Sequence, residues 1–277
     1  MAERILLAGC GDVGLRVATH LLAQGDDVWA LRRHPLRESV PGLYWLKADL
    51  AQPSTFGELP AGIARVVYLP APDARDAAAY RALFVDGLRH LLEALDARAL
   101  KQVLMVSSSA VYGGCDGAWV DEDTPPAPPG FNGALLLEAE QWLAAQGVPS
   151  TVLRLAGLYG PGRMHLAERV RAGTQRVPRE VPHWANRIHV DDAASAIVHL
   201  LRLPAPLPLY LGVDDVPLPL DQLCDCIAHL LGVPPPREGA TPAGVGSKRL
   251  RNARLRASGW APQWPDARDG YAALLKT

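Results

Sequence analysis

An apolar run that ends in a glycine-spaced turn, a regular alternation of strand-like and helix-like segments behind it, and a burst of prolines after residue 160 predict an α/β chain. The expected architecture is a doubly wound parallel sheet with a small C-terminal α/β lobe. The first segment, Arg4-Ile-Leu-Leu-Ala8, has the unbroken apolarity of a strand buried on both faces. It leads into Gly9-Cys-Gly11-Asp12-Val13-Gly14, and helical spacing follows from Leu15 to Gln24, with Gly25 as the stop. Val28–Leu31 reads as a second strand, Leu43–Leu46 as a third and Val66–Leu69 as a fourth. A long helix from about Asp76 to Arg98 crosses to a fifth strand, Gln102–Val106. A helix over about Leu135 to Gln146 then leads to the strand Ser150–Leu155. Eleven prolines from Pro161 to Pro236 break the rest into short pieces, apart from an amphipathic helix over Asp221–Leu231. Asp221 is a candidate N-cap for that helix and Gly232 lies past its end.

These elements divide as residues 1–160 plus about 187–204 for a Rossmann dinucleotide-binding domain, and about 161–186 plus 205–277 for a smaller lobe on the substrate side. The glycine spacing carries the chemistry. Gly9 makes the tight turn, Gly11 lets a pyrophosphate approach the backbone, and Gly14 lets the helix pack on the strand. The N–H groups and positive dipole end of the helix then hold the phosphates. An enzyme that prefers NAD places an acid about 20 residues beyond the glycines, where it bonds the ribose 2′-OH. That place is held here by Arg32 and Arg33, while Asp26 and Asp27 precede the strand and lie at its wrong end. A guanidinium fork suits a 2′-phosphate, so NADP is expected in preference to NAD. Asp49, in Ala48-Asp-Leu50, reads either as a partner for the adenine edge or as a turn cap.

Composition excludes several alternatives. The chain has 277 residues, 49% of them hydrophobic and 21% charged, which is ordinary for a globular protein. A net charge of −1 gives no electrostatic footprint for nucleic acid. No apolar run approaches the ~18 residues of a membrane span, and no signal-peptide pattern precedes the first strand, so a cytoplasmic protein is expected. Cys10, Cys115, Cys224 and Cys226 lack both redox and zinc spacing and read as free thiols.

Six segments together resemble the extended short-chain dehydrogenase/reductases of the NAD-dependent epimerase/dehydratase group. They are Gly9-x-Gly11-x-x-Gly14, Asp49-Leu50, Val106-Ser-Ser-Ser-Ala-Val-Tyr-Gly113, Glu122-Asp-Thr-Pro-Pro126, Arg154-x-x-x-Leu-Tyr-Gly-Pro-Gly162 and Arg187-Ile-His-Val-Asp-Asp192. The resemblance implies that Leu69, Pro70, Ala71 and Pro72 stand at the nicotinamide side, with Leu50 beside Asp49. It implies that Ser108, four residues before Tyr112, matches the catalytic Ser/Thr of the family. It further implies an atypical member. The family helix reads Tyr-x-x-x-Lys-Leu-x-x-Glu, a spacing that puts the Tyr and Lys on one face. Anchored on Glu140, this chain has Asn132 and Leu136 in those places. Asn does not titrate and Leu neither bonds a ribose nor lowers a neighbour's pKa, so the proton relay is missing.

Candidate substitutes are Tyr112, Tyr159, His165 and His183, each of which also reads as packing or surface hydrogen bonding. Arg163 and Arg187 are candidate anion contacts, and Trp184, Trp260 and Trp264 candidate core aromatics. The reading is thus an NAD(P)-binding, atypical oxidoreductase or epimerase acting on a small molecule, with a sugar nucleotide as the substrate class, and a homodimer in view. A non-catalytic NADP-binding redox sensor is the alternative. A hydrolase with Ser108 as nucleophile is weaker, because no His–Asp pair is placed to activate the serine. Neither metal, nucleic acid nor membrane is expected as a partner.

Overall fold

A computed structural model describes residues 3–36, 40–242 and 246–276. Seven strands form the main sheet: β1 (Arg4–Ala8), β2 (Asp27–Arg32), β3 (Leu43–Lys47), β4 (Arg65–Tyr68), β5 (Gln102–Ser108), β6 (Ser150–Leu155) and β7 (Leu209–Gly212). Their order across the sheet is β7-β6-β5-β4-β1-β2-β3, and β3-β2-β1-β4-β5 pair in parallel. The order reverses between β1 and β4, which is the switch point where doubly wound sheets open a crevice. Strands β1, β4 and β5 read as continuous apolar runs because both faces of the sheet are covered: Ile5, Leu6, Leu7, Val66, Val67, Leu104 and Met105 are all fully buried.

Helix α1 (Asp12–Ala23) starts inside the glycine motif, three residues earlier than its apolar spacing predicts. The segment expected as one helix over Asp76–Arg98 is α2 (Ala77–Tyr80), a π-helical stretch over Arg81–Asp86, and α3 (Gly87–Glu93). It begins where expected, with the Asp76 carboxylate accepting a hydrogen bond from Ala79 N–H at 2.8 Å. It ends five residues early. The widened turn has a local partner, since the buried Tyr68 hydroxyl donates to the Leu83 carbonyl. At Gly87 the helix passes so close to β4 and its neighbours that a Cβ would stand 2.7 Å from the Leu50 carbonyl oxygen and 2.9 Å from the Tyr68 hydroxyl. Helix α4 (Phe131–Ala144) begins four residues before the predicted start, with Gly130 at its N-cap. The remaining helices are α5 (His165–Arg171), α6 (Val190–Arg202), α7 (Leu220–Leu231), α8 (Ala253–Ala257) and α9 (Ala267–Leu275). The N-cap of α7 is Pro219, so Asp221 lies within the first turn and is not the cap; Gly232 past its end takes the left-handed conformation, with φ at 66°. Pro219 closes the short strand Leu218–Pro219, which pairs with Trp184–Ala185 and sets where the helix begins.

The chain divides into two compact units. The first comprises residues 1–111, 130–154 and 194–209; the second comprises 112–129, 155–193 and 210–277. The composition shift at residue 160 does not show that segments 112–129 and 155–160 go with the second unit. In that unit α5, α7 and α9 pack around Tyr159, Leu166, Val170, Leu223, Ile227 and Tyr271. The strand pairs Trp119–Val120 with Arg249–Leu250, and Gly157–Tyr159 with Arg187–His189, tie its loops together.

Candidate cofactor site

In the first unit a cavity of about 380 Å³ opens at the carboxyl ends of β1 to β4. Its walls include Gly9 and Gly11 after β1, Leu31 and Arg32 at the end of β2 with Arg33 and His34 after it, Ala48 to Ala51 after β3, and Pro70 to Ala74 after β4. Ala79, Ala82 and Leu83 bring the helix with the π-helical turn to the same cavity. Of the residues singled out by sequence, Gly9, Gly11, Arg32, Arg33, Asp49, Leu50, Pro70 and Ala71 are therefore brought together. Asp12, Val13 and Gly14 lie in α1 behind it, and the Gly14 backbone faces Cys10 Sγ and the Leu69 side chain. Ser108, at the end of β5, is not among the lining residues.

The glycine loop fits a phosphate on local evidence. Gly9 has φ at +90°, and a Cβ there would stand 2.5 Å from Pro70 Cα, so the residue is fixed by backbone contact with the loop after β4. A Cβ on Gly11 would meet nothing nearer than the Gly9 carbonyl oxygen at 4.0 Å. Gly11 is the N-cap of α1 and makes no side-chain cap bond, and the positive end of the helix dipole faces this space. Space and donors thus coincide. The Cys10 thiol within the loop is buried, and burial pushes it up to about 12, which makes it an inert packing group.

At the far end of the cavity the Arg33 guanidinium forms a bidentate pair with Asp73, with one arm at 2.7 Å. The pair raises the Arg33 pKa and lowers that of Asp73. Arg32 instead lies over the Trp45 ring, 5.9 Å from its centroid. Asp49 accepts from Ala51 N–H at 3.0 Å, as a turn cap does, and also lines the cavity. Asp26 sits at the opposite end of β2, buried, where it accepts from Glu3 N–H and pairs with Arg202.

The helix that carries the family relay is plain in its geometry. Leu136 is 3% exposed in the packed face of α4, and the Asn132 amide oxygen folds back over Gly130, where a Cβ would be 3.1 Å away. One turn further, Glu140 has a structural task that the sequence pattern alone does not show. It forms a buried ion pair with Arg154 at 2.6 Å and accepts a hydrogen bond from the Ser107 hydroxyl. The neighbouring Ser108 oxygen accepts from Ala110 N–H at 3.2 Å.

The substitutes proposed for the relay fall in the second unit. The Tyr112 hydroxyl donates to the Asp121 carbonyl, and Tyr159 is buried against Tyr271 with its hydroxyl pressed onto Gly270. His165 is on the surface beside Glu168. His183 is buried beside Lys248, a residue that no motif pointed to. Trp260 is a core residue, and Trp264 packs against the His189 ring. Among the described residues no cluster of His, Cys, Asp and Glu has the makings of a metal site, and no helix is long and apolar enough to cross a membrane.

Comparison with known proteins places this architecture. The NAD dependent epimerase/dehydratase family model matches residues 5–208. A candidate NAD-dependent epimerase/dehydratase from Methylobacillus flagellatus is 40% identical, with a TM-score of 0.83 over 100% of this chain and 98% of that one. Protein YeeZ of Escherichia coli K12 is 28% identical over 95% of this chain and 97% of its own length. The UDP-glucose 4-epimerase of Thermus thermophilus, solved in complex with NAD, shares the fold with a TM-score of 0.82 at 23% identity, over 99% of this chain and 98% of that one. With the switch-point cavity and the glycine loop, these matches show that the chain belongs to the NAD-dependent epimerase/dehydratase family of short-chain dehydrogenases/reductases.

Proposed function

We propose that the cavity of the first unit holds a nicotinamide dinucleotide, NADP in preference to NAD, and that the chain is an atypical oxidoreductase or epimerase for a sugar nucleotide. The single observation that carries the cofactor reading is the open space over Gly11 at the N-terminus of α1, within the cavity wall. In this reading the Gly9–Gly11 backbone and the first turn of α1 bind the pyrophosphate, and Asp49 meets the adenine edge. Arg32 reads the 2′-phosphate, and Arg33 joins it by exchanging Asp73 for phosphate oxygens. Pro70 and Ala71 bound the nicotinamide side. When bound, the nicotinamide supplies and accepts hydride. Ser108 is the one family acid–base position that keeps a hydroxyl, and it bonds the reacting oxygen of the substrate.

Substrate class rests on the likeness to the UDP-glucose 4-epimerase. A second reading, NADP binding without turnover in a redox sensor, is favoured by Leu136 and Asn132. A buried leucine offers no charge to a ribose, and an amide offers no titrating proton at neutral pH. Native mass spectrometry of the purified protein, followed by calorimetry with NADP and NAD, tests the cofactor reading. NADP bound at least about tenfold tighter than NAD supports it, and equal affinities refute the preference. Stopped-flow absorbance of bound NADPH or NADP mixed with UDP-glucose or its 4-keto form then separates the two readings. Slow hydride transfer supports the enzyme, and none supports the sensor.

A further inference from the structure

The second unit contains a buried ammonium with no counter-ion among the described residues. Lys248 is 4% exposed, and its amine makes one hydrogen bond among the described residues, to the Tyr112 carbonyl at 3.2 Å. No carboxylate among the described residues pairs with it, and only one of its three donors has a partner among them. His183, also 4% exposed, lies between Pro182 and Trp184, both bonded to the Ser247 hydroxyl next to Lys248, and its Nδ1 has no partner among the described residues. Burial, reinforced by the Lys248 charge, lowers the pKa of His183, and burial lowers that of Lys248.

Both residues are held on a stiff frame. Trp184 N–H donates to the Ser247 hydroxyl at 3.3 Å, and that hydroxyl donates to the Pro182 carbonyl at 3.2 Å. The Asn186 side chain bridges Lys248 and Leu250, donating to the Lys248 carbonyl at 2.9 Å and accepting from Leu250 N–H at 2.8 Å. The Ser247 carbonyl takes the N–H groups of Cys115 and Gly117. The loop over the amine is tied down yet partly open, since Gly113 and Cys115 are half-buried and Gly114 is exposed.

Desolvating an ion is costly, and one hydrogen bond to a neutral carbonyl returns only part of that cost. A methionine would fill the same volume without that cost. The amine is therefore poorly explained by packing, and its missing partner is an anion. We propose that Lys248 and His183 form a subsite for a compact oxyanionic group, phosphate or carboxylate, on a small-molecule ligand. The group takes two N–H donors from Lys248 and one from His183 Nδ1, in a site of low dielectric where charge-assisted hydrogen bonds are strong. This proposal stands apart from the dinucleotide reading, because every residue in it belongs to the second unit.

The chain has four lysines, so ¹³Cε-lysine NMR resolves the amine directly, with Lys248→Met as the assignment. Inorganic phosphate is the first probe and malonate the second, which separates phosphate from carboxylate chemistry. Saturable movement of the Lys248 resonance by either, with its titration midpoint raised on binding, is the expected result. Calorimetry is expected to show binding weakened about tenfold or more in both Lys248→Met and His183→Phe. The Lys248 resonance reports the second unit alone, so failure of the cofactor reading leaves this result intact. A Lys248 resonance unmoved by both anions at about 20 mM overturns the proposal, as does unchanged binding in a folded Lys248→Met variant. Should that variant not fold, the wild-type resonance decides alone.

Discussion

Substituting the three glycines of the first turn one at a time should separate folding from binding. Gly9→Ala forces a Cβ to within 2.5 Å of Pro70 Cα and 2.7 Å of Pro70 N, at φ +90°. The left-handed backbone alone costs an L-residue roughly 1–2 kcal/mol, and the clash is with main chain that has no rotamer to change. A loss of ~3 kcal/mol or more in urea unfolding is expected, with the loops after β1 and β4 displaced. Gly14→Ala is tightest against a movable sulfur, Cys10 Sγ at 3.1 Å, with Leu69 Cδ1 in ordinary contact at 3.5 Å, and should cost about 1 kcal/mol. Gly11→Val has no neighbour beyond its own turn within 4.0 Å, so its stability should stay within about 1 kcal/mol of wild type. Its isopropyl group fills the space that a pyrophosphate needs over the α1 terminus. Losing two charge-assisted hydrogen bonds at ~1.5–3 kcal/mol each weakens NADPH at least about 100-fold by calorimetry. A folded Gly11→Val variant that binds NADPH like wild type would refute the site, and a Gly9→Ala variant of wild-type stability would refute the packing argument.

Four further outcomes are expected. Arg32→Asp should move preference from NADP toward NAD through loss of a charge-assisted pair worth ~1.5–3 kcal/mol, measured as the ratio of the two dissociation constants; an unchanged ratio counts against Arg32. Asn132→Tyr with Leu136→Lys restores the i, i+4 pair and should raise hydride transfer to a nucleotide sugar, at some cost in stability because Leu136 is buried; wild-type turnover that survives Ser108→Ala would show that the chemistry lies elsewhere. Glu140→Ala leaves Arg154 charged and buried and should cost about 3–5 kcal/mol in urea unfolding, whereas a loss under about 1 kcal/mol would show that the Arg154–Glu140 pair is not holding α4 to β6. The buried Asp214 carboxyl in the second unit is raised to about 9 by desolvation and then by Asp266 and Asp215. Its folded pKa exceeds the unfolded one, so the native state holds the extra proton and stability falls as pH rises from about 4 to about 9. Asp214→Asn should remove that slope and gain on wild type between pH 5 and 8.5 in urea unfolding; a gap that is equal at both pH values rejects the assignment.

What the sequence made legible follows from the range of the interactions involved. The glycine turn could be read because Gly9, Gly11 and Gly14 act through backbone conformation and local space, and a strand and a helix flank them directly. The doubly wound parallel sheet could be read because alternating strands and helices with right-handed crossovers leave few topologies. Periodicity failed where a partner far along the chain decides. It does not show the π-helical turn at Arg81–Asp86, which accompanies a hydroxyl from β4, or the start of α7 at Leu220, which follows a strand pair between Pro219 and Trp184. The site shows the same division. Arg32 and Arg33 were visible as the residues after β2, but only folding brings Asp73, 40 residues on, against Arg33 and leaves Arg32 on Trp45. Glu140 looked like an anchor for aligning a motif, and it is the buried partner of Arg154. Lys248 carried no signal at all, since a lysine after Gly-Ser reads as a solvated turn. Burial leaves it a charge with no counter-ion among the described residues, and the energetic cost of that burial makes it the strongest pointer in the second unit to a ligand.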